Sequence, residues 1–276
     1  AARRFRCRFA LPGSRSSRER ASRSCAVSGS DWANLRLIDH ETVASTNDEA
    51  LILAGKDAPA WTVVRARSQS AGRGRRGKSF ASPPGNSYTS FILRPQCEPA
   101  EAPQIALVAG LAVAETVDFL APDLPRAVCK WPNDVMIDSH KVAGILVEAA
   151  LSGSKLDAVI VGLGVNLLHH PEIPGVRIAS LHGLGAPEIE RDRWLECFAG
   201  CFMERFGLWQ SQGFSALQDI WMERAAGLGG RVSLDTRPPL QGTLKGLAPD
   251  GALLIDDDNG ITHRCVSGSL VLEDAA

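Results

Sequence analysis

The sequence predicts an α+β protein: a central mixed or antiparallel sheet with helices, followed by a small C-terminal all-β barrel. Three observations predict it. Residues 102–120, APQIALVAGLAVAETVDFL, are alanine-rich and mostly apolar over a length that suits one well-buried helix. AVCKW, DVMID, KVAGILVEA and DAVIVGLGVNL then follow as successive strands, with a turn at Gly153. From about residue 228 the texture changes to short alternating runs broken by Gly, Pro, Asp-Gly and Asn-Gly. These boundaries divide the chain into an extension (1–30), a large α+β domain (31–226) and a small β domain (227–276).

The remaining elements follow in order. LRLIDH (35–40) alternates as a strand does, and Thr46 opens a T-N-D-E capping box with Glu49 before a short helix near 47–54. WTVVRARS (61–68) is rich in β-branched residues, and 87–94 reads as another strand. Residues 190–225 carry a helical pair whose apolar positions include Trp194, Cys197, Phe198, Cys201, Phe202 and Phe206.

Composition excludes several classes. The chain has 276 residues with 30 basic and 31 acidic side chains, a net charge of −1, so charge does not favour bulk polyanion binding. No apolar run reaches the roughly 18 residues of a membrane span. Residues 1–30 hold eight arginines and one acid, Glu19. That Arg- and Ser-rich composition resembles an organellar transit peptide, with a disordered tail or a non-native extension as the other readings. The seven cysteines include no C-x-x-C; Cys197 and Cys201 lie in an apolar stripe and read as small core residues. A reducing, cytoplasmic setting fits, or an organelle if 1–30 is a targeting peptide.

The chemistry concentrates at 69–80, QSAGRGRRGKSF. Gly72, Gly74 and Gly77 let backbone approach a ligand and adopt positive φ, and Arg73, Arg75, Arg76 and Lys78 supply cations for phosphate or carboxylate. Gly72 through Ser79 also fits G-x-x-x-x-G-K-[ST], but Pro83, Pro84 and Gly85 rule out the helix a P-loop needs. Three further polar elements interrupt apolar strands: Ser45-Thr46-Asn47; Lys130-Trp131-Pro132-Asn133-Asp134 with Lys141–Gly144; and Gly162-Leu163-Gly164-Val165-Asn166. Each has a plain alternative: a helix cap, a turn and a solvated lysine, and close backbone approach within a strand. His169 and His170 read as surface residues.

Taken in order, QSAGRGRRG, KWPND, KVAGILVE and VGLGVN, with Ser-Thr-Asn at 45–47 and a terminal small barrel, resemble the biotin protein ligases over about residues 35–273. The resemblance implies a class II synthetase-like core and a two-step reaction. ATP activates biotin as biotinyl-5′-AMP, which then passes to a lysine of a biotin carboxyl carrier domain of acetyl-CoA carboxylase or another biotin-dependent carboxylase. It implies Lys141 and Arg75 as catalytic residues. It implies Ser45, Thr46, Gln69, Gly72, Arg73, Arg75, Lys141, Gly144 and Gly162 around biotin. Around ATP and the adenylate it implies Arg75, Arg76, Phe80, Lys130, Trp131, Asn133, Asp134, Lys141 and Asn166, with Trp131 beside the adenine. Phe80 stands where the family often has tryptophan. Mg²⁺ is expected on the ATP phosphates, not in a protein metal site.

Some family members carry an N-terminal helix-turn-helix and repress transcription; the Arg- and Ser-rich 1–30 does not read as one, so operator binding is not expected. No nucleic-acid or membrane partner is expected either, and a homodimer is compatible with the sequence. The competing readings are a non-catalytic biotin or adenylate sensor, a lipoate or octanoate transferase, and an arginine-tail RNA binder, which lacks interleaved stacking aromatics.

Overall fold

A computed structural model describes residues 35–273. The extension 1–30, with its targeting reading, lies outside the described residues. The elements are β1 (Arg36–Val43), α1 (Thr46–Ala54), β2 (Thr62–Gln69), β3 (Ser87–Leu93), α2 (Gln104–Leu120), β4 (Val128–Lys130), β5 (Asp134–Ile137), β6 (His140–Ser152), β7 (Lys155–Val165), α3 (Arg191–Gln212) and α4 (Ser215–Met222). A second group follows: β8 (Arg231–Leu234), β9 (Leu240–Leu247), β10 (Leu253–Asp256), β11 (Thr262–Cys265) and β12 (Leu270–Leu272).

The first seven strands form one sheet in the order β1-β2-β3-β7-β6-β5-β4. Only β1 and β2 run parallel, joined by the α1 crossover; every other pair is antiparallel, so the sheet is mixed. Strand alternation splits its side chains between two environments. Val63, Phe91, Val159, Val161, Leu163 and Val165 face the layer of α2 and α3 and share its core. Val64, Ile92, Ala158 and Ile160 face the other way and pack with Ala50, Ala54 and Ala58 in and after α1. Helix α2 is buried along most of its length because it lies between the sheet and α3. On α3, Phe198, Phe202 and Phe206 recur every four residues on one face. They meet Trp61 and Phe91 at centroid separations of 5.5 to 5.8 Å, and Phe198 stacks on Phe202 at 5.3 Å. Cys197 and Cys201 are buried in the same helix.

One local expectation needs correction. Ser45, not Thr46, is the N-cap of α1, and no side chain caps this helix. The Thr46 hydroxyl donates instead to Gln69 Oε1, so tertiary hydrogen bonding overrides the capping box.

The five later strands form an antiparallel sheet in the order β11-β10-β9-β8-β12, the small C-terminal β unit the sequence predicts. Val232, Leu234, Leu244, Leu253, Ile255 and Leu270 join the core of the main body. Gln218 of α4 donates to the Leu247 carbonyl at 2.7 Å, and the Trp131 indole donates to the Gly251 carbonyl at 3.1 Å. No helix among the described residues is long and apolar enough to cross a membrane.

Phe202→Ala is expected to lower stability by about 3–5 kcal/mol, because it opens a void between α3 and the sheet. Leu151→Ala, at a site 57% exposed, should stay within about 0.5 kcal/mol of wild type. Urea unfolding of the two variants checks this; equal losses would remove the aromatic layer from the core.

Candidate active site

The site lies on the α1 face of the main sheet, where side chains give way to glycine. On β7, Gly162 and Gly164 continue the face begun by Ala158 and Ile160. A Cβ at Gly162 would stand 2.1 Å from Asn47 Oδ1, and one at Gly164 would stand 2.4 Å from the Phe80 ring. Gly144, paired with Gly164 on β6, would place a Cβ 3.1 Å from Lys141 Nζ and 3.6 Å from Phe80. The floor is therefore bare backbone, with Asn47 over one end and Phe80 and Lys141 over the other.

The Asn47 end holds a buried group of uncharged polar side chains beside the Glu148 carboxylate. Ser45, Thr46, Asn47 and Ser90 are each 4% exposed or less. The Thr46 backbone N–H and hydroxyl both donate to Gln69 Oε1, at 2.8 and 3.1 Å, and Gln69 Nε2 donates to Ser82 Oγ at 2.9 Å. Ser90 Oγ is 2.8 Å from Thr46 Oγ1 and 2.5 Å from Asn47 Oδ1, so its single proton serves one acceptor at a time. Asn47 Nδ2 donates to Glu148 Oε2 at 2.7 Å.

The Lys141 end is charged. The β4–β5 hairpin sets Lys130 opposite Asp134, and the next register sets Asp134 opposite Gly144. Lys141, at the start of β6, brings Nζ to 2.5 Å from Asp134 Oδ1. That oxygen is buried and has no well-directed hydrogen bond, so the contact is ionic. Burial lowers the Lys130 pKa; Asp134 opposes the shift, while Lys141 and Lys78 add to it. Asn133 exchanges two hydrogen bonds with the Ile145 backbone, at 2.8 and 2.9 Å, which leaves its Oδ1 to accept from Arg75 at 3.2 Å. Asn166, just past β7, is 3% exposed; its Nδ2 donates to the Ala179 carbonyl and its Oδ1 is buried without a partner.

The glycine–arginine loop crosses this floor. Gly72 is buried and accepts from the Phe80 N–H at 2.8 Å; a Cβ there would stand 2.4 Å from the Phe80 carbonyl oxygen. Of the three glycines expected at positive φ, only Gly77 adopts it (+72°), while Arg76 takes the left-handed conformation (φ +55°) and Gly74 is extended. Arg73 pairs with Asp48 at 2.5 Å and with Glu148 at 3.0 Å. Arg75 is half-buried, which pushes its pKa down. Arg76 turns to the second sheet and pairs with Asp235.

The structure thus brings together Ser45, Thr46, Gln69 and Gly162 at one end, and Phe80, Asn133, Asp134, Lys141 and Gly144 at the other. Trp131 is 4% exposed and its indole N–H donates to the Gly251 carbonyl, so the ring forms a wall against the second sheet. Sequence reasoning missed Ser90, Glu148 and Asp48 as members. Ser90 was detectable as a hydroxyl within the buried run SYTSFIL, and Glu148 closes KVAGILVE; Asp48 gave no signal. A separate depression of about 470 Å³, bordered by His140, His170, Glu172, Ile173, Val176 and Arg177, lies beside the Lys141 backbone instead of over the glycine floor. Among the described residues no group of three His, Cys, Asp or Glu side chains could hold a metal ion.

Gly162→Ala is expected to push Asn47 off Ser90 and Glu148 and to destabilise by about 1–3 kcal/mol. Gly207→Ala, in α3 with open space around it, should be neutral or stabilise by up to about 1 kcal/mol. Denaturant midpoints of the pair decide it; a Gly162→Ala protein as stable as wild type would mean that Asn47 does not rest on the floor.

The biotin/lipoate A/B protein ligase family profile matches residues 41–166. The chain is 37% identical over 222 residues to the biotin–[acetyl-CoA-carboxylase] ligase of Paracoccus denitrificans, covering 76% of this chain and 90% of the relative. It is 32% identical over 235 residues to the bifunctional ligase/repressor BirA of Bacillus subtilis, covering 82% and 70%. Among solved structures, biotin protein ligase from Aquifex aeolicus in complex with biotin and ATP matches with a TM-score of 0.74 at 29% identity, covering 87% of this chain and 99% of that one.

Proposed function

Because the chain belongs to the biotin/lipoate A/B protein ligase family and is a ligase, we propose that it activates biotin as biotinyl-5′-AMP and transfers it to a carrier-domain lysine. The observation that carries this reading is the two-ended glycine floor. One end offers buried hydroxyl and amide groups, with Arg73 paired to Asp48 and Glu148 beside them, and the other offers the cations Lys141 and Arg75. Biotin has the matching polarity: a neutral polar ring system joined by an apolar chain to a carboxylate.

In this reading Ser45, Thr46 and Gln69 take the ring, with Gly72 and Gly162 keeping the walls close. The carboxylate lies toward Lys141, and Gly144 leaves room for it. An oxygen of that carboxylate attacks the α-phosphorus of ATP, and the bond to pyrophosphate breaks. Two anions must approach for this, so the fixed cations supply the main stabilisation. Lys141, held by Asp134, neutralises charge at the forming acyl phosphate. Arg73, Arg75 and Arg76 give the loop its attraction for the anionic product, and Lys130 adds charge behind them. Asn133 keeps Arg75 in place, Phe80 covers the floor, and the unpartnered Asn166 Oδ1 offers an acceptor to a ligand N–H or O–H.

Bound Mg²⁺ would be carried by the ATP phosphates and would supply charge neutralisation there. In the second half-reaction the acceptor ε-amine attacks the acyl carbon and AMP leaves. The acceptor is a biotin carboxyl carrier domain of acetyl-CoA carboxylase or a related carboxylase, in the cytoplasm. Residues 31–226 carry the chemistry and 227–276 support it.

Biotin is expected to support pyrophosphate exchange into ATP, and lipoate or octanoate is not; exchange with lipoate or octanoate alone would overturn the substrate assignment. Lys141→Ala should cut exchange by about 10²–10³, the loss seen when one preorganised charge stabiliser is removed. Arg75→Gly should release the adenylate about tenfold faster or more, since it removes a charge-assisted contact. An unchanged release rate in a single-turnover chase would reduce Arg75 to a surface cation.

A further inference from the structure

We propose that Asp235, on the second sheet, is a positioning residue for the arginine loop. It holds Arg76, and through it the adjoining Arg75, in the arrangement that retains the adenylate. The retention half of this proposal rests on the function proposed above.

The geometry is a bridge from one carboxylate. Asp235 directly follows β8, and its Oδ1 accepts the Ser269 backbone N–H at 2.5 Å, which ties the end of β8 to the turn before β12. Its Oδ2 accepts from Arg76 Nη1, which also donates to Ser269 Oγ at 3.3 Å. One residue earlier in the loop, Arg75 Nη1 donates to the Gly268 carbonyl at 3.2 Å as well as to Asn133. Two consecutive arginines therefore grip the same two-residue turn, and Asp235 joins that turn to the guanidinium. The Ser269 N–H first, and then Arg76, keeps the Asp235 carboxyl below the ordinary carboxylate range, so it is ionised at neutral pH.

Arg76 also needs holding. Its φ of +55° and ψ of +37° are left-handed, a conformation an L side chain keeps only when its surroundings fix it. A lone ion pair between side chains 47% and 44% exposed would fix little. Here three further hydrogen bonds, from Arg75, Arg76 and Ser269, converge on the same place.

Asp235→Asn tests this because it keeps an oxygen for the Ser269 N–H and removes only the charge that holds Arg76. The loop contains its own trypsin sites, at Arg73, Arg75, Arg76 and Lys78. In the ligand-free protein the variant loop should be cut about two- to fivefold faster, the range one exposed charge contact supplies to the opening equilibrium. Adenylate release should accelerate by a similar factor. Asp235→Glu keeps a carboxylate and is expected near wild type in both, which separates loss of the charge from loss of the fold.

Equal cleavage and equal release in Asp235→Asn would overturn the proposal. Faster cleavage with unchanged release would overturn the positioning role, because the contact would then hold the loop without serving the ligand. The cleavage measurement needs no substrate. If wild type showed no biotin-dependent exchange while the variant loop was still cut faster, the proposed function would fall and the contact would stand.

Discussion

The site depends on a sheet that is filled on one face and emptied on the other. Strand β7 alternates strictly: Val159, Val161, Leu163 and Val165 bury into the α2–α3 layer, while Gly162 and Gly164 turn to the α1 side. The packed face makes the emptied face affordable, since a strand missing side chains on one surface must be held from the other. Everything functional is then placed by what occupies the bare backbone. Asn47 lies over Gly162, Phe80 lies over Gly164, and Lys141 reaches Gly144. A single methyl at any of these positions would meet a neighbour at 2.1 to 3.1 Å, so the loop, α1 and the start of β6 all take their positions from this floor.

Electrostatics follow a second rule, that loop and strand cations meet intramolecular carboxylates. Arg73 has Asp48 and Glu148, Lys141 has Asp134, and Arg76 has Asp235. This explains how so many cations gather beside one floor in a chain of net charge −1 without mutual repulsion opening the loop. It also sets the terms for a ligand. An anion must compete with carboxylates that are already satisfied, so only one that meets several cations at once gains enough to displace them. An acyl adenylate, with a phosphate next to the former carboxylate, is such a ligand; an isolated carboxylate is weaker.

Much of this was legible in the sequence because local patterns and tertiary packing agree. The alternation of β1, the apolar length of α2, the four-residue spacing of phenylalanines on α3 and the texture change near 228 all correspond to elements of the structure. The expected close backbone approach at VGLGVN is also found, at Gly162 and Gly164. The failures share a cause: long-range contacts outweighing local signals. T-N-D-E looks like a capping box, but Gln69, 23 residues away, captures the Thr46 hydroxyl. Asp48 and Asp235 carry no pattern, because each is defined by an arginine of a loop distant in sequence.

The second sheet shows why such contacts matter to function and not to stability alone. A unit of this size is short of core, and here its apolar residues are continuous with the main body's. Docking of that kind could be entirely apolar. Instead the turn at 268–269 and the end of β8 face the arginine loop with a carbonyl, a hydroxyl and a carboxylate, which are acceptors matched to two guanidinium groups. Acceptors placed there stabilise one arrangement of the loop relative to others, which apolar contact, being non-directional, does poorly. The arginine loop is therefore held from both sides: Arg73 by α1 and β6, and Arg75 and Arg76 by the second sheet. Its glycines give the backbone room between those holds, and the order of the loop depends on a sheet that carries none of the residues assigned to the chemistry.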